Sequence, residues 1–316
     1  MPLIPHSNYK APFWLLGGHL QTIFPAIFYN SKPIPLRRER IDTADGDFID
    51  MDRLENGSRK LYILSHGLEG SSRAPYNLRI LHYLNTQGLD ALAWNFRGCS
   101  GVPNRLKTFY HSGFTKDLAE IVNKVAAEKK YDEIVLVGVS IGGNITLKYL
   151  GEGGAAVSPL IKKAVVFSVP CSLASGAAEL SKRSNWIYMR RFLASFKRKF
   201  EEKNKMFPGG YDMKGYAQIK NFREFDSRYT APMFGFRDVD DYYTSQSSKP
   251  FIPQIKTRTH IINAKNDPFL GADCYPVEEA RNSEYVFLEM PGSGGHAGFP
   301  GKGGLPGLGF LGLKDW

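Results

Sequence analysis

Cysteine is scarce in this chain. There are three, Cys99, Cys171 and Cys274, odd in number, far apart and without a C-x-x-C. That spacing argues against a disulfide framework and against a cysteine zinc site. A reducing, cytoplasmic setting is the expectation. Long apolar runs are missing as well. The most apolar early stretch, Phe13 to Tyr29, is interrupted by His19, Gln21 and Pro25. It falls short of the roughly 20 apolar residues that a membrane span needs. The opening MPLIPHSNYK lacks the charged start, apolar run and small-residue cleavage site of a secretory signal, so none is expected. There is no P-loop, no G-x-G-x-x-G after a strand and no H-E-x-x-H. Neither a nucleotide cofactor nor a metal is therefore expected, and with no nucleic-acid-binding module in sight, no nucleic acid partner either.

What is present is an ordinary globular composition: 316 residues, 42% hydrophobic and 23% charged. Such a chain can bury one large core. The formal net charge is +10, and it is unevenly spread. Between Ser181 and Arg228 there are 13 Lys or Arg against 5 Asp or Glu. Most of the excess belongs to that one segment.

The patterning is that of alternating strand and helix. ERIDTA and DFIDMDRL meet at Asp45-Gly46, a hairpin signal. LYILSHG, DALAWNF, EIVLVGV, AVVFSVP, THIINA and YVFLEM read as buried strands. Tyr76 to Asn85, Phe114 to Lys129 and Gly142 to Leu150 read as helices; in the second, Phe114, Leu118, Ile121, Val122 and Val125 recur at helical spacing. Alternation of this kind predicts a mostly parallel sheet with helices on both faces, and the leading hairpin predicts antiparallel strands at one edge. Residues 172–248 break the alternation with aromatic and basic residues and no buried strand, and read as an inserted helical cap. The division expected is 1–171 as the first part of the core, with an N-terminal segment 1–37, then 172–248 as cap, then 249–316 as the second part of the core. The last twenty residues, dominated by Gly and Leu, are expected to be irregular.

Gly138-Val139-Ser140-Ile141-Gly142 follows one of these strands and precedes a helix. A G-x-S-x-G at a strand-to-helix turn is a nucleophile elbow, in which flanking glycines let a strained serine project above the sheet. A serine hydroxyl needs a base, and in this arrangement an acid and then a histidine follow it along the chain. His296, in the glycine-rich loop after the last strand, is the base expected; His260 starts a strand and reads as structural. Asp267, in N-D-P-F-L after THIINA, is the acid expected to orient the imidazole, ahead of Asp273 and Glu278. Oxyanion donors are expected from the backbone N–H groups of Ile141 and of Leu68 in His66-Gly67-Leu68-Glu69-Gly70. The His66 ring is expected to brace that loop. Arg97-Gly98-Cys99-Ser100-Gly101 is expected to shape the pocket floor, with Cys99 packed rather than reactive.

Taken together, GGHLQTIFP, LSHGLEGSS, NFRGCSG, YHSGFTKDL, GVSIGGN, NDPF and GGHAGF span nearly the whole chain in order. In these motifs the sequence resembles the YheT-like α/β-hydrolases, the AB hydrolase 4 family. The resemblance implies the α/β-hydrolase fold and a carboxylic ester hydrolase using Ser140, Asp267 and His296. It also implies relatives acting on short acyl esters and, in eukaryotic branches, on phospholipids. Within it, His19-Leu20-Gln21-Thr22 is a hallmark expected to pack beneath the cap. One departure is visible: the closing helix usual after the histidine loop is replaced by GLPGLGFLGLKDW.

Three functions follow as expectations. The first is hydrolysis of short to medium acyl esters through an acyl-enzyme. The second is a lipase, phospholipase or acyltransferase at lipid surfaces, with peripheral membrane contact through the basic cap. The third is a non-catalytic binding protein on a hydrolase scaffold.

Overall fold

The computed structural model describes residues 3–29 and 33–301. Nine strands form one sheet among these residues: β1 (Leu3–Ile4), β2 (Arg37–Asp42), β3 (Phe48–Leu54), β4 (Lys60–Ser65), β5 (Asp90–Trp94), β6 (Glu133–Val139), β7 (Ile161–Phe167), β8 (Arg258–Ile262) and β9 (Val286–Glu289). Their order across the sheet is β1-β9-β8-β7-β6-β4-β5-β3-β2. The pairs β2–β3 and β3–β5 are antiparallel and all others parallel. This is the mostly parallel sheet that the alternation predicts, with the hairpin at one edge. Its turn closes where Gly46 N–H donates to the Thr43 carbonyl and Thr43 N–H to that of Asp47. The two-residue β1 carries too little pattern to be read in advance.

The central strands are apolar on both faces because both faces are covered. On β4, Leu61 and Ile63 enter one core cluster while Tyr62 and Leu64 enter another; on β6, Ile134 and Leu136 part from Val135 and Val137 in the same way. This is the period-2 alternation of a strand. On the first face, α3 (Thr115–Ala127) buries Leu118, Ile121, Val122 and Val125, and α4 (Ile141–Gly153) buries Ile145, Leu147 and Leu150. On the second, α2 (Pro75–Thr86) buries Ile80, Leu81 and Leu84.

Residues 13–29 were legible only as a broken apolar stretch. They contain α1 (Gly17–Phe28), a helix that carries Pro25 and touches α2. Between β7 and β8 lie α5 (Leu173–Leu180), α6 (Trp186–Met206), α7 (Phe222–Phe225), a π-helical turn Asp226–Thr230, α8 (Ala231–Phe234) and α9 (Val239–Gln246), with no strand. Their aromatic residues Phe200, Tyr211, Tyr216, Phe225 and Tyr229 join the core cluster of Phe109 and Tyr110. A last helix, α10 (Val277–Arg281), precedes β9.

The glycine- and leucine-rich end is expected to be irregular from residue 297, but its first residues are anchored. Phe299 is buried, meets Tyr9 and Phe167 edge to face, and donates its N–H to the Gly294 carbonyl. An aromatic side chain of that size gives up a large hydrophobic gain unless it is packed, which fixes the backbone around it. Residues 302–316, and with them all of GLPGLGFLGLKDW, lie outside the described residues.

Candidate active site

Ser140 stands between β6 and α4 at φ 55° and ψ −122°, a conformation that non-glycine residues rarely adopt. The strain is held by backbone. Ser140 N–H donates to the Phe167 carbonyl, and the Ser140 carbonyl accepts from Gly143 and Asn144. Gly142 makes this possible: a Cβ there would come within 2.3 Å of the Ser65 carbonyl oxygen. The end of β4 therefore lies directly against the start of α4.

Three side chains from distant parts of the chain meet at this rim. Ser140 Oγ is 2.9 Å from His296 Nε2, and His296 Nδ1 is 2.9 and 3.0 Å from the two Asp267 oxygens. With Nδ1–H donating to the carboxylate, Nε2 is left to accept from the hydroxyl. Asp267 is buried and also accepts from the Phe269 N–H, and the Phe269 ring stacks on the imidazole at 4.1 Å. The alternatives are elsewhere. Asp273 is exposed, and Glu278 is exposed and paired with Arg281. His260 is buried with Nε2 3.0 Å from Glu289 on the neighbouring strand.

The Leu68 and Ile141 N–H groups find no acceptor among the described residues, and both residues line the cavity beside Ser140. The N–H groups on either side of Leu68 are taken: Gly67 donates to the Tyr76 hydroxyl, Glu69 to that of Tyr110. His66 braces the loop through both nitrogens. Nδ1 is 2.7 Å from the Gly67 carbonyl, and Nε2 accepts from Phe96 N–H at 3.0 Å. Full burial drives its pKa down to about 3. Glu69 has φ 51° and accepts from Lys199 at 2.7 Å, Ser195 at 2.6 Å and Tyr110 at 2.9 Å. Lys199 and Ser195 belong to α6, so that helix grips this loop. The net effect on Lys199 is a raised pKa: burial opposes its charge, but Cys99 and Glu69 beside it outweigh burial.

The loop carrying His296 is tied down mainly from α1. Gln21 Oε1 accepts from Gly294 N–H at 2.8 Å and from Asn266 Nδ2 at 2.9 Å, and Asn266 Oδ1 accepts from Gly295 N–H. Thr22 Oγ1 accepts from His296 N–H at 2.8 Å. One helix thus links the residue before Asp267 to His296 itself. Gly295, at φ 63°, is needed because a Cβ there would sit 2.8 Å from the backbone of Gln21 and Thr22. Behind the loop, Ser168 accepts from Ala297 N–H and Arg79 donates to the carbonyls of Ala297 and Gly298. His19-Leu20-Gln21-Thr22, expected beneath the cap, therefore holds the histidine loop, and it meets α6 where His19 and Thr22 contact Tyr188. The motifs signalled Gln21, Thr22 and, within N-D-P-F, Phe269 without showing what they hold; Arg79 and Ser168 carried no signal.

Arg97 corrects another expectation. It does not line the cavity beside Ser140: its guanidinium pairs with Asp117 and Asp45 at 2.7 and 2.6 Å, tying α3 to the hairpin turn. A buried cation goes to its carboxylates rather than to an apolar floor. Cys99 is packed 2.9 Å from Lys199, and burial pushes its thiol pKa up to about 11.

Above Ser140 is a cavity of about 980 Å³, counting its open mouth. Its wall is largely apolar, with Leu180, Phe192, Phe196 and Phe222 from the segment between β7 and β8 and Phe269 and Leu270 from the loop after β8. Asp226 lies in the wall, bonded to Thr230 and Tyr243, and burial raises its pKa to about 6. Among the described residues no group of three or more His, Cys, Asp or Glu could hold a metal ion.

Comparison with known proteins agrees with this architecture. Residues 56–211 match the Hydrolase_4 family model, described as serine aminopeptidase, S33. An Escherichia coli protein named "Putative esterase YheT" is 32% identical over 290 residues, covering 90% of this chain and 84% of that one. Human "Phospholipase ABHD3" is 30% identical over 308 residues, covering 94% of this chain and 75% of its own. Among solved structures, the Pyrococcus furiosus esterase Pf2001 superposes with a TM-score of 0.57 at 18% identity, over 87% of this chain and 89% of that one. At that identity the likeness is one of fold.

Proposed function

This chain belongs to the YheT-like family of α/β-hydrolases, and from there we propose that it cleaves carboxylic esters with Ser140 as nucleophile, His296 as base and Asp267 as orienter. The observation that carries the reading is the unbroken pair of contacts, 2.9 Å from hydroxyl to imidazole and 2.9 Å from imidazole to carboxylate.

Ser140 Oγ attacks the ester carbonyl while His296 Nε2 takes its proton. Asp267 holds Nδ1–H and stabilises the imidazolium. The tetrahedral oxyanion is received by the N–H groups of Leu68 and Ile141, whose lack of another acceptor leaves them available. His296 then returns the proton to the departing alcohol, leaving an acyl group on Ser140. Water, deprotonated by His296, attacks the acyl carbonyl; the acid departs and the serine regains its proton. The acyl chain fits the Phe- and Leu-lined cavity under residues 172–248, which we take as a cap on a core made of 1–171 and 249–316. A fluorophosphonate should label Ser140 alone. Ser140→Ala should abolish both labelling and turnover of p-nitrophenyl esters; turnover surviving in that variant would rule out this nucleophile.

A second reading, action on lipid esters, is favoured by the size and apolarity of the cavity and by the relative named a phospholipase. It uses the same three residues and differs in substrate length, so a series of acyl esters from two to sixteen carbons separates them. The third expectation, binding without catalysis, has against it that a binding scaffold needs no hydroxyl, imidazole and carboxylate in series. The labelling experiment decides that too.

A further inference from the structure

Helix α1 is inside out. Its polar residues Gln21 and Thr22 point inward to the Asn266 and His296 loops, while Leu20, Ile27 and Phe28 are exposed. Just ahead of it, Phe13 and Leu16 are 90% and 75% exposed. A surface helix normally does the reverse, because each exposed apolar side chain forgoes its transfer free energy. Residues 11–29 contain no Asp, Glu, Lys or Arg. The patch is thus both apolar and free of charge.

Beside it lies the start of α6. His19 Nδ1 is 3.1 Å from the Tyr188 hydroxyl and the two rings stack. The outward face of α6 there shows Trp186 and Ile187, both exposed, with Arg190 and Arg191; Arg183 precedes them by a turn. These positions share one helical face. The neighbouring Lys182 and Lys197 pair with Glu179 and Glu201, but Arg183, Arg190 and Arg191 have no carboxylate partner among the described residues.

We propose that this face, with Phe13, Leu16 and Phe28 beside Trp186, Arg190 and Arg191, docks the protein on an anionic phospholipid bilayer. The apolar side chains enter the boundary between headgroups and acyl chains, and the guanidinium groups take the phosphates. Helix α1 is about 18 Å long, from 1.5 Å per residue, so it lies on the bilayer rather than across it. Among the described residues no helix is long and apolar enough to cross a membrane. A second copy of the chain is the poorer occupant, because a symmetric contact would bring twice as many unpaired guanidinium groups together. The same two helices serve the site: α6 continues into the cavity wall at Phe192 and Phe196, and α1 holds the His296 loop. What the bilayer delivers to that site rests on the ester hydrolase reading; the docking does not.

The test is flotation of the full chain, as Ser140→Ala so that lipid is not consumed, with vesicles of phosphatidylcholine alone or mixed with phosphatidylglycerol. Uptake should favour the mixed vesicles and weaken with salt. Phe13→Asp with Leu16→Asp should cut partition more than about a hundredfold. Arg190→Gln with Arg191→Gln should cut it about thirtyfold, and only on anionic vesicles. In the Ser140 background both pairs should leave turnover of a water-soluble short ester unchanged. Equal uptake by parent and variants, or equal uptake on neutral and anionic vesicles, overturns the proposal. So does a dimer in light scattering that Phe13→Asp with Leu16→Asp dissolves while vesicles take up nothing. Vesicle uptake without ester turnover sinks the hydrolase reading alone; turnover without uptake sinks the docking alone.

Discussion

Ser140 and His296 stand 2.9 Å apart and are held by different means. Ser140 is held by backbone. Its strained φ of 55° is fixed between a central strand and a helix, with glycine allowing β4 to press against α4. His296 lies 156 residues on, beyond the last strand, in a loop held by Gln21, Thr22, Ser168, Arg79 and Asn266 from four other places in the chain. The Ser140 end is therefore a local structure with a short signature. The His296 end is a long-range structure that depends on single side chains. The first should tolerate distant mutation well and local mutation badly; the second should fail when a residue far from the chemistry is changed.

The sharpest break is at the nucleophile. Ser140→Ala should lower turnover of p-nitrophenyl esters by about 10⁴ or more, while the thermal midpoint moves little, since the strained backbone keeps all its bonds. Next comes the brace. Gln21→Ala removes the acceptor for Gly294 and Asn266 without touching substrate, so kcat should fall about a hundredfold with KM nearly constant. Thr22→Val should act in the same direction and Thr22→Ser should restore most of the loss, because it keeps the hydroxyl that accepts from His296. A fall in thermal stability with kcat unchanged would make these residues structural and undo the contrast.

The same contrast decides what could be read in advance. The strands and the hairpin at Asp45-Gly46 are written in neighbouring residues, and they were legible; the motif around Ser140 and the loops of Asp267 and His296 also stood out in the sequence, and the fold brings those three side chains together. Helix α1 was not. Its pattern puts apolar residues outward and polar ones inward, so periodicity reads it as a broken run. Arg97 was misplaced because its partners, Asp45 and Asp117, come from a turn and a helix that only the fold brings together. Phe299 was lost in a glycine-rich stretch, where one aromatic residue carries no period.

Two histidines at this rim sharpen the comparison through pH. His66 is fully buried, with both nitrogens committed to backbone and its pKa near 3. Since that is below the 6.5 of the unfolded chain, the unfolded state binds the extra proton. The stability His66 contributes is complete above pH 6.5 and is lost as pH falls from 6.5 toward 3. At pH 5 the loss should be about 2 kcal/mol from this residue alone. Urea midpoints at pH 7 and 5 measure it, and His66→Asn should flatten that part of the slope. His111, also buried and lowered to about 3, adds a similar slope that the variant leaves in place.

The smallest effect asks whether the Ser140 end is as self-contained as its motif implies. Glu69 follows Leu68, sits at φ 51°, and takes Lys199 and Ser195 from α6. If that grip sets the direction of the Leu68 N–H, Lys199→Met should lower kcat about tenfold, a loss that Lys199→Arg partly recovers. Removing the cation also strands a buried carboxylate, which destabilises strongly, so Glu69→Gln combined with Lys199→Met should be more stable than Lys199→Met alone. Rate should not recover with stability in the double variant, because the neutral pair no longer ties the loop to α6. Recovery of both together would mean that Lys199 only balances charge, and that the turn after β4 holds its donor without help from α6.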